Sequence, residues 1–298
     1  MKLFRLLSTF TISLLILSCS NGEEDYDATG SFEATEIIVA SQANGRILEL
    51  NIREGDQLQK GQIAGVIDST QLYFQKMSLL SNALGLRAQQ PDIKAQTAAL
   101  HDQIKTLKRE KARLERLVAA NAANQKQLDD VESQLELAES QLSAQTSTLQ
   151  KSSAHISAQS TALDIQVAQL DDQLEKTKIT SPITGTVLNK YAEAGELATM
   201  GSPLFKIADT NTMYLRAYVT NDQLAQTKLN DEVRISVDDG AGGMKSYKGT
   251  ISWISDKSEF TPKTIQTKNE RANLVYALKI AVSNDGFLKI GMYGEVKF

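Results

Sequence analysis

The sequence predicts an elongated, multidomain α+β protein: a β-sandwich split by a long antiparallel α-helical coiled-coil hairpin and followed by a small antiparallel β-barrel. Three observations predict it. A glycine ruler with spacings of ten and six residues occurs twice, 140 positions apart. Between the two copies, apolar residues recur every seven positions. After the second copy the pattern changes to alternating apolar and polar residues, the period of strands.

The 298 residues, 41% apolar and 23% charged, are enough to bury more than one core. Lys plus Arg number 32 against 36 Asp plus Glu, so the chain lacks the basic excess that a nucleic-acid partner requires. One cysteine excludes a disulfide framework and a cysteine-rich metal site. That cysteine closes the N-terminal segment MKLFRLLSTFTISLLILSC, where Lys2 and Arg5 precede an apolar run from Leu6 to Leu17. Residues 1–18 read as a signal peptide, and Ile16-Leu17-Ser18-Cys19 resembles the lipobox of bacterial lipoproteins. Lipidation of Cys19 is the expectation, with acyl chains holding the mature chain on a membrane. Residues 19–36 read as an acidic tether and a first strand.

The first ruler, Gly45, Gly55 and Gly61, lies in SQANGRILELNIREGDQLQKGQIAGVID; the second, Gly185, Gly195 and Gly201, lies in SPITGTVLNKYAEAGELATMGSPLFKIAD. Ile47 and Leu48 match Val187 and Leu188, Asp56 matches Glu196, and Ile67 matches Ile207. Short apolar runs punctuated by glycine suit strands and tight turns, so all six glycines are expected at structural turns. Segments 37–70 and 177–209 are thus two halves of one β-sandwich. The pattern G-x-[IV]-L…EG[DE]…G…I resembles the half-motif of lipoyl and biotinyl domains. In carriers of that type the halves meet at a hairpin bearing a modifiable lysine. Here the first half ends in Asp68-Ser69-Thr70-Gln71, without that lysine, which disfavours a carrier subunit.

Within 71–176, Leu72, Leu79, Leu86, Ile93, Leu100, Leu107 and Leu114 keep one heptad, and Leu128, Leu135, Leu142, Leu149, Ile156, Leu163 and Leu170 keep another. Companions such as Ile104, Leu117, Val131, Ala138, Val167 and Leu174 complete a narrow seam, which predicts two antiparallel arms. The heptad breaks over 118–126, the expected tip. It keeps phase across Pro91, so a kink near Gln90 is expected, opposite Lys151 to His155. Both histidines, His101 and His155, flank the seam without metal-ligand spacing.

Residues 210–298 alternate in MYLRAYV, DEVRISV, YKGTISWIS, NLVYALKIAV and GMYGEVKF, which suits a small barrel of five or six strands. Asp238-Asp239-Gly240-Ala241-Gly242-Gly243 lacks the phosphate-loop spacing and reads as a hairpin loop. No nucleophile–base or paired-carboxylate arrangement stands out, so no catalytic, cofactor-binding or metal site is expected, and the chain is not read as an enzyme.

Half sandwich, helical hairpin, half sandwich and barrel behind a lipoprotein signal resembles the HlyD-like periplasmic adaptor, or membrane fusion protein, family. The segment Glu259 to Ile280, EFTPKTIQTKNERANLVYALKI, resembles the barrel signature of the branch serving ABC-type exporters. The resemblance implies a ring, commonly a hexamer, linking an inner-membrane transporter and its ATPase to an outer-membrane TolC-like channel, with the hairpin tip on the channel. It also implies a tip motif of Arg, Leu and Ser, which Arg113 and Leu117 match while Asn124 stands at the serine position. Many members carry a further membrane-proximal β-domain, expected here to be reduced to the strand around Ser31 to Thr35, or absent. The periplasm of a two-membrane bacterium is implied, and the inner membrane is favoured for the anchor although Ser20 suits outer-membrane sorting. An envelope scaffold that uses the coiled coil only for attachment is the alternative.

Overall fold

The computed structural model describes residues 26–260 and 274–298. The signal peptide, Cys19, the tether through Asp25 and most of the Glu259–Ile280 signature lie outside the described residues. The chain runs β1 (Ala28–Ala40), β2 (Gly45–Leu50), β3 (Gln57–Leu58), β4 (Ile63–Ile67), α1 (Thr70–Arg87), α2 (Ile93–Ala119) and α3 (Gln125–Glu175). It continues through β5 (Lys178–Thr180), β6 (Gly185–Lys190), β7 (Leu197–Ala198), β8 (Pro203–Thr220), α4 (Asn221–Leu224), β9 (Glu232–Asp238), β10 (Met244–Phe260), β11 (Leu274–Ser283) and β12 (Tyr293–Lys297).

Both glycine-ruler segments fill a single sandwich core. Ile47, Ile52, Leu58, Ala64 and Ile67 come from the first copy, and their counterparts Val187, Ala192, Ala198, Leu204 and Ile207 from the second. The 140-residue equivalence extends to the backbone. Gly55 N–H donates to the Val187 carbonyl at 2.8 Å and Val187 N–H to that of Asp56 at 2.9 Å; Gly195 donates to Ile47 at 2.7 Å and Ile47 to Glu196 at 2.8 Å. Gly61 donates to Ser181, and Gly201 to Ser41. Each half therefore closes its turns on the other, which leaves neither half a complete hydrogen-bonding unit alone.

A second core lies in a ring of six strands. β1 pairs β12, β12 pairs β9, and the order continues through β10, β11 and β8 back to β1. Closure removes the sheet edges. Phe32, Leu215, Ala217, Ile235, Ile251, Leu278, Ile280 and Val296 are among the side chains filling the interior. β1 and β8 are long because they serve both units: Thr29–Glu33 pairs with Tyr214–Tyr218 in the ring, and Thr35–Ala40 with segment 203–209 in the sandwich. The division expected between residues 209 and 210 falls inside β8. At the crossover, Ala34 on β1 faces the longer bulge 210–213 on β8. Asn284 fastens that bulge, its side-chain amide donating to the Thr210 carbonyl and its backbone N–H to that of Asn211, both at 2.8 Å.

α1, α2 and α3 interrupt the sandwich between β4 and β5. Lys76 pairs with Asp171, Arg87 with Asp164, Lys108 with Glu139 and Lys111 with Glu132, so α3 runs antiparallel to α1 and α2. The kink expected near Gln90 is a full break, with α1 ending at Arg87 and α2 starting at Ile93. Pro91 lacks an N–H and disfavours helical backbone at Gln90, and Asp92 then caps α2 by accepting from Ala95 N–H at 3.0 Å. Heptad phase survives because the gap returns Ile93 to the seam, half-buried. Gln90 donates to Ser157 Oγ at 3.0 Å, just beyond the Lys151–His155 stretch expected opposite it.

Candidate functional site

The candidate site is the hairpin and its tip, held by the split sandwich. In α3 every sheltered residue from Leu128 to Leu174 follows the last by three or four positions, and the residues between are exposed. That is the burial pattern of one seam. Ile104, Leu135 and Ala138 form its most enclosed cluster, with Leu107 and Leu142 against them. At 51 residues α3 spans about 77 Å at 1.5 Å per residue.

At the tip, α2 ends at Ala119 and α3 begins at Gln125. Asn124 is the N-cap of α3, its Oδ1 accepting from Lys126 N–H at 3.1 Å. Asn121 takes φ +54°, a left-handed conformation in which asparagine is among the tolerated residues. Leu117 is half-buried, and its carbonyl accepts from Ala122 N–H at 2.8 Å, which closes the turn. Arg113 is ion-paired to Glu110 on its own helix. The guanidinium holds the Glu110 carboxyl below its ordinary value, and the pairing raises Arg113. Two residues before Arg113, Lys111 is raised, chiefly by its hydrogen bond to Glu132 across the hairpin. Arg113, Leu117 and Asn124 thus occupy the last turns before and the first residue after the hairpin bend.

The six ruler glycines divide into two kinds. Gly55, Gly61, Gly195 and Gly201 sit in turns at φ between +81° and +98°. Gly45 and Gly185, expected at turns, instead open β2 and β6. A Cβ on Gly185 would stand 2.2 Å from the Ala208 carbonyl oxygen, so strand packing, not a turn, excludes a side chain there. The carrier-type hairpin position after β4 leads directly into α1, whose first residue is Thr70.

Between the sandwich and the base of the hairpin lies a cleft of about 680 Å³, lined by residues including Asn44, Arg46, Asp68, Leu72, Lys176 and Met200. The 238–243 loop joins β9 to β10 and satisfies itself: Asp239 Oδ1 accepts from Ala241 and Gly243, and Asp238 Oδ1 from Gly240. His101 and His155 are exposed on α2 and α3. Among the described residues no cluster of three or more His, Cys, Asp or Glu is placed to hold a metal ion, and no helix is long and apolar enough to cross a membrane. Sequence reasoning missed the Asn284 fastening, because an asparagine in a turn carries no signal that its amide reaches a bulge 74 residues earlier.

Comparison with known proteins places this geometry. The family described as RND MFP, barrel-sandwich hybrid domain, matches residues 35–210, more than half of the chain. The UPF0194 membrane protein YbhG of Salmonella arizonae is 36% identical over 126 residues, 42% of this chain and 38% of that protein's length. A UPF0194 membrane protein encoded in the asrC 5' region of Acidithiobacillus ferridurans is 26% identical over 284 residues, covering 88% of this chain and 83% of that one. The crystal structure of MacA from Actinobacillus actinomycetemcomitans superposes with a TM-score of 0.52 at 22% identity, over 90% of this chain and 76% of that one, which establishes likeness of fold.

Proposed function

The chain belongs to the membrane fusion protein family defined by this barrel-sandwich hybrid domain, and from that premise we propose that it is the adaptor of a tripartite efflux or secretion system. It bridges an inner-membrane transporter, ABC-type by the resemblance of its barrel signature, to an outer-membrane TolC-like channel. The coiled-coil hairpin presents Arg113, Leu117 and Asn124 to that channel. Copies of the chain form a ring, most simply a hexamer, around a periplasmic conduit, and Cys19 carries the acyl anchor. The role is structural: the transporter's ATPase supplies the energy, and the adaptor supplies a sealed path.

One observation carries this reading. The sandwich is assembled from two halves whose turns close on each other, so the inserted hairpin leaves and returns through a fixed base, with a capped tip at the end of a 51-residue helix. Such a base is a means of holding a contact far from the anchored end. Affinity purification of the tagged full chain from crosslinked cells tests it, with native mass spectrometry of the product. The proposal expects a ring of copies together with a membrane permease and its ATPase. A chain recovered as monomer, with envelope components but without a transporter, overturns it in favour of the scaffold reading.

A further inference from the structure

The faces of the hairpin turned away from its seam are patterned as regularly as the seam. On α1, Tyr73, Met77, Leu80 and Leu84 follow one another by four, three and four positions, about 130° round from Leu72, Leu79 and Leu86. Tyr73, Met77 and Leu84 are exposed, Leu84 at 62%, and Phe74 stands exposed beside Tyr73, the two rings edge to face at 6.1 Å. On α3, Ala154, Ala158, Thr161, Ile165 and Ala168 keep the same spacing on the side away from the seam, all of them exposed, Ile165 at 57%. Neither stripe carries a charge. A contiguous exposed apolar stripe at heptad spacing is the pattern of a helix face that packs on another helix.

The two stripes match in height and in size. The Lys76–Asp171 and Arg87–Asp164 pairs set the levels across the hairpin, and at 1.5 Å per residue Leu84 lies within about 3 Å of the height of Ile165, and Met77 of Ala168. Large side chains project from α1 where α3 presents mostly alanine and threonine, the pairing of knobs with holes. Toward the tip the same two faces carry opposite charge. Arg109, Arg113 and Arg116 are exposed at i, i+4 and i+7 on the outer face of α2; Asp129 and Glu136, seven apart, are exposed on the outer face of α3. By the Lys108–Glu139 and Lys111–Glu132 pairs, Arg109 is level with Glu136, and Arg116 lies within a turn of Asp129. Arg113 pairs with Glu110, but among the described residues no ion pair engages Arg109, Arg116, Asp129 or Glu136. Their hydrogen bonds stay within their own helices: Arg109 donates to Thr106 Oγ1, Arg116 to the Ala112 carbonyl, and Gln125 to Asp129.

The two faces lie on opposite flanks of one hairpin, so a chain cannot join its own. We propose that copies of this chain pack hairpin beside hairpin at equal height, the α1–α2 flank of one on the α3 flank of the next. Leu84 and Met77 then seat against Ile165 and Ala168, and Arg109 and Arg116 meet Glu136 and Asp129. Unlike faces in contact make a head-to-tail interface, which forms a ring when its rotation closes, and equal height points every tip the same way. This rests on the ring of the proposed function and adds which faces build it.

Disulfide trapping of the full chain in isolated membranes tests it. A disulfide needs Cα atoms within about 7 Å, and two helix diameters separate the outer flanks of one hairpin, so a bond between positions 84 and 165 must join two copies. Under mild oxidation, Leu84→Cys with Ile165→Cys in one chain gives a ladder of crosslinked oligomers. Leu84→Cys chains mixed with Ile165→Cys chains give dimers only, and either variant alone gives none above the unsubstituted chain. Arg109→Glu with Arg116→Glu lowers the ladder yield about ten-fold, as does Asp129→Lys with Glu136→Lys, and combining all four restores it. The helical melting temperature stays within a few degrees throughout, since all four residues are exposed. Failure of the combined variant to recover overturns the proposal, because a general loss of hairpin structure would not be rescued by a second reversal. Crosslinking of Leu84→Cys with itself overturns it in favour of a two-fold pair. Native mass spectrometry separates the remaining cases: rings without the 84–165 ladder refute these faces alone, and monomers refute the ring and the faces together.

Discussion

Replacing Leu149 with alanine, alongside Leu137 with alanine, asks whether the hairpin owes its stability to a single seam. Both leucines lie on α3, twelve residues apart, and differ in burial: Leu149 is 8% exposed and Leu137 is 59% exposed. Truncation to alanine removes three carbons, each worth about 0.8 kcal/mol when fully buried. For Leu149 the loss is about 2 kcal/mol. The further cavity penalty of a globular core is small, because a two-helix seam admits water to the gap. For Leu137 the same arithmetic leaves under about 1 kcal/mol, and alanine's higher helix propensity offsets part of that. Urea unfolding of the purified full chain, followed by helical circular dichroism, separates the two. Leu149→Ala shifts the helical transition to lower urea, and Leu137→Ala barely moves it. Equal destabilisation by both would mean that the face bearing Leu137 is packed as well, which contradicts a hairpin whose sheltered residues form one stripe.

Gly185→Ala forces the β6 and β8 backbones apart and costs about 1–3 kcal/mol, whereas Gly195→Ala, with open space but φ +98°, costs about 1 kcal/mol; thermal melts of the two rank them. Asn124→Ala removes the N-cap of α3 and costs that helix end about 1 kcal/mol, while Asn124→Asp retains the cap; amide hydrogen exchange at 125–128 reads the difference. Asp285 is held at about 2, first by its hydrogen bond from Lys245 and then by that from Phe287 N–H. Its folded value lies below the ordinary 3.8, so its contribution is present above pH 4 and is lost as pH falls through 4 toward 2. Asp285→Asn flattens the pH dependence of stability across that window, and an unchanged acid profile would refute the assignment.

The parts of the fold legible in the sequence are those written as periods. The two heptad registers mark the sheltered side chains of the helices, and the glycine ruler marks an equivalence that reaches individual hydrogen bonds such as Gly55 to Val187 and Gly195 to Ile47. The rest depends on where long strands go, which alternation does not encode. The sequence reads a first strand within 19–36 and a sandwich segment from 37, yet one strand, β1, spans both, closing the barrel and also joining the sandwich. β8 is one continuous strand in two units, so the change of pattern after residue 209 marks no break in the strand itself. The break at 88–92 hides behind an unbroken heptad, because a five-residue gap preserves the seam's phase. Gly45 and Gly185 look like turn residues by type, but crowding in the paired strands is what requires them, by the Ile67 side chain at Gly45 and by the Ala208 backbone at Gly185. At the tip, Asn124 is identifiable as a helix-end residue from its place within the heptad break, and Glu110 and Arg113 stand at i,i+3 spacing on one helix, whereas the pairing of Lys111 with Glu132 across the hairpin needs three-dimensional proximity.

The central claim is that the hairpin tip engages an outer-membrane channel. A photocrosslinking amino acid at Ala122, exposed at the tip and outside the Asn124 cap, tests it in living cells with captured partners identified by mass spectrometry. The account predicts an outer-membrane channel protein as the captured partner, lost when the probe is moved to exposed Lys151 at mid-hairpin. Self-crosslinks alone from a well-expressed chain would contradict it.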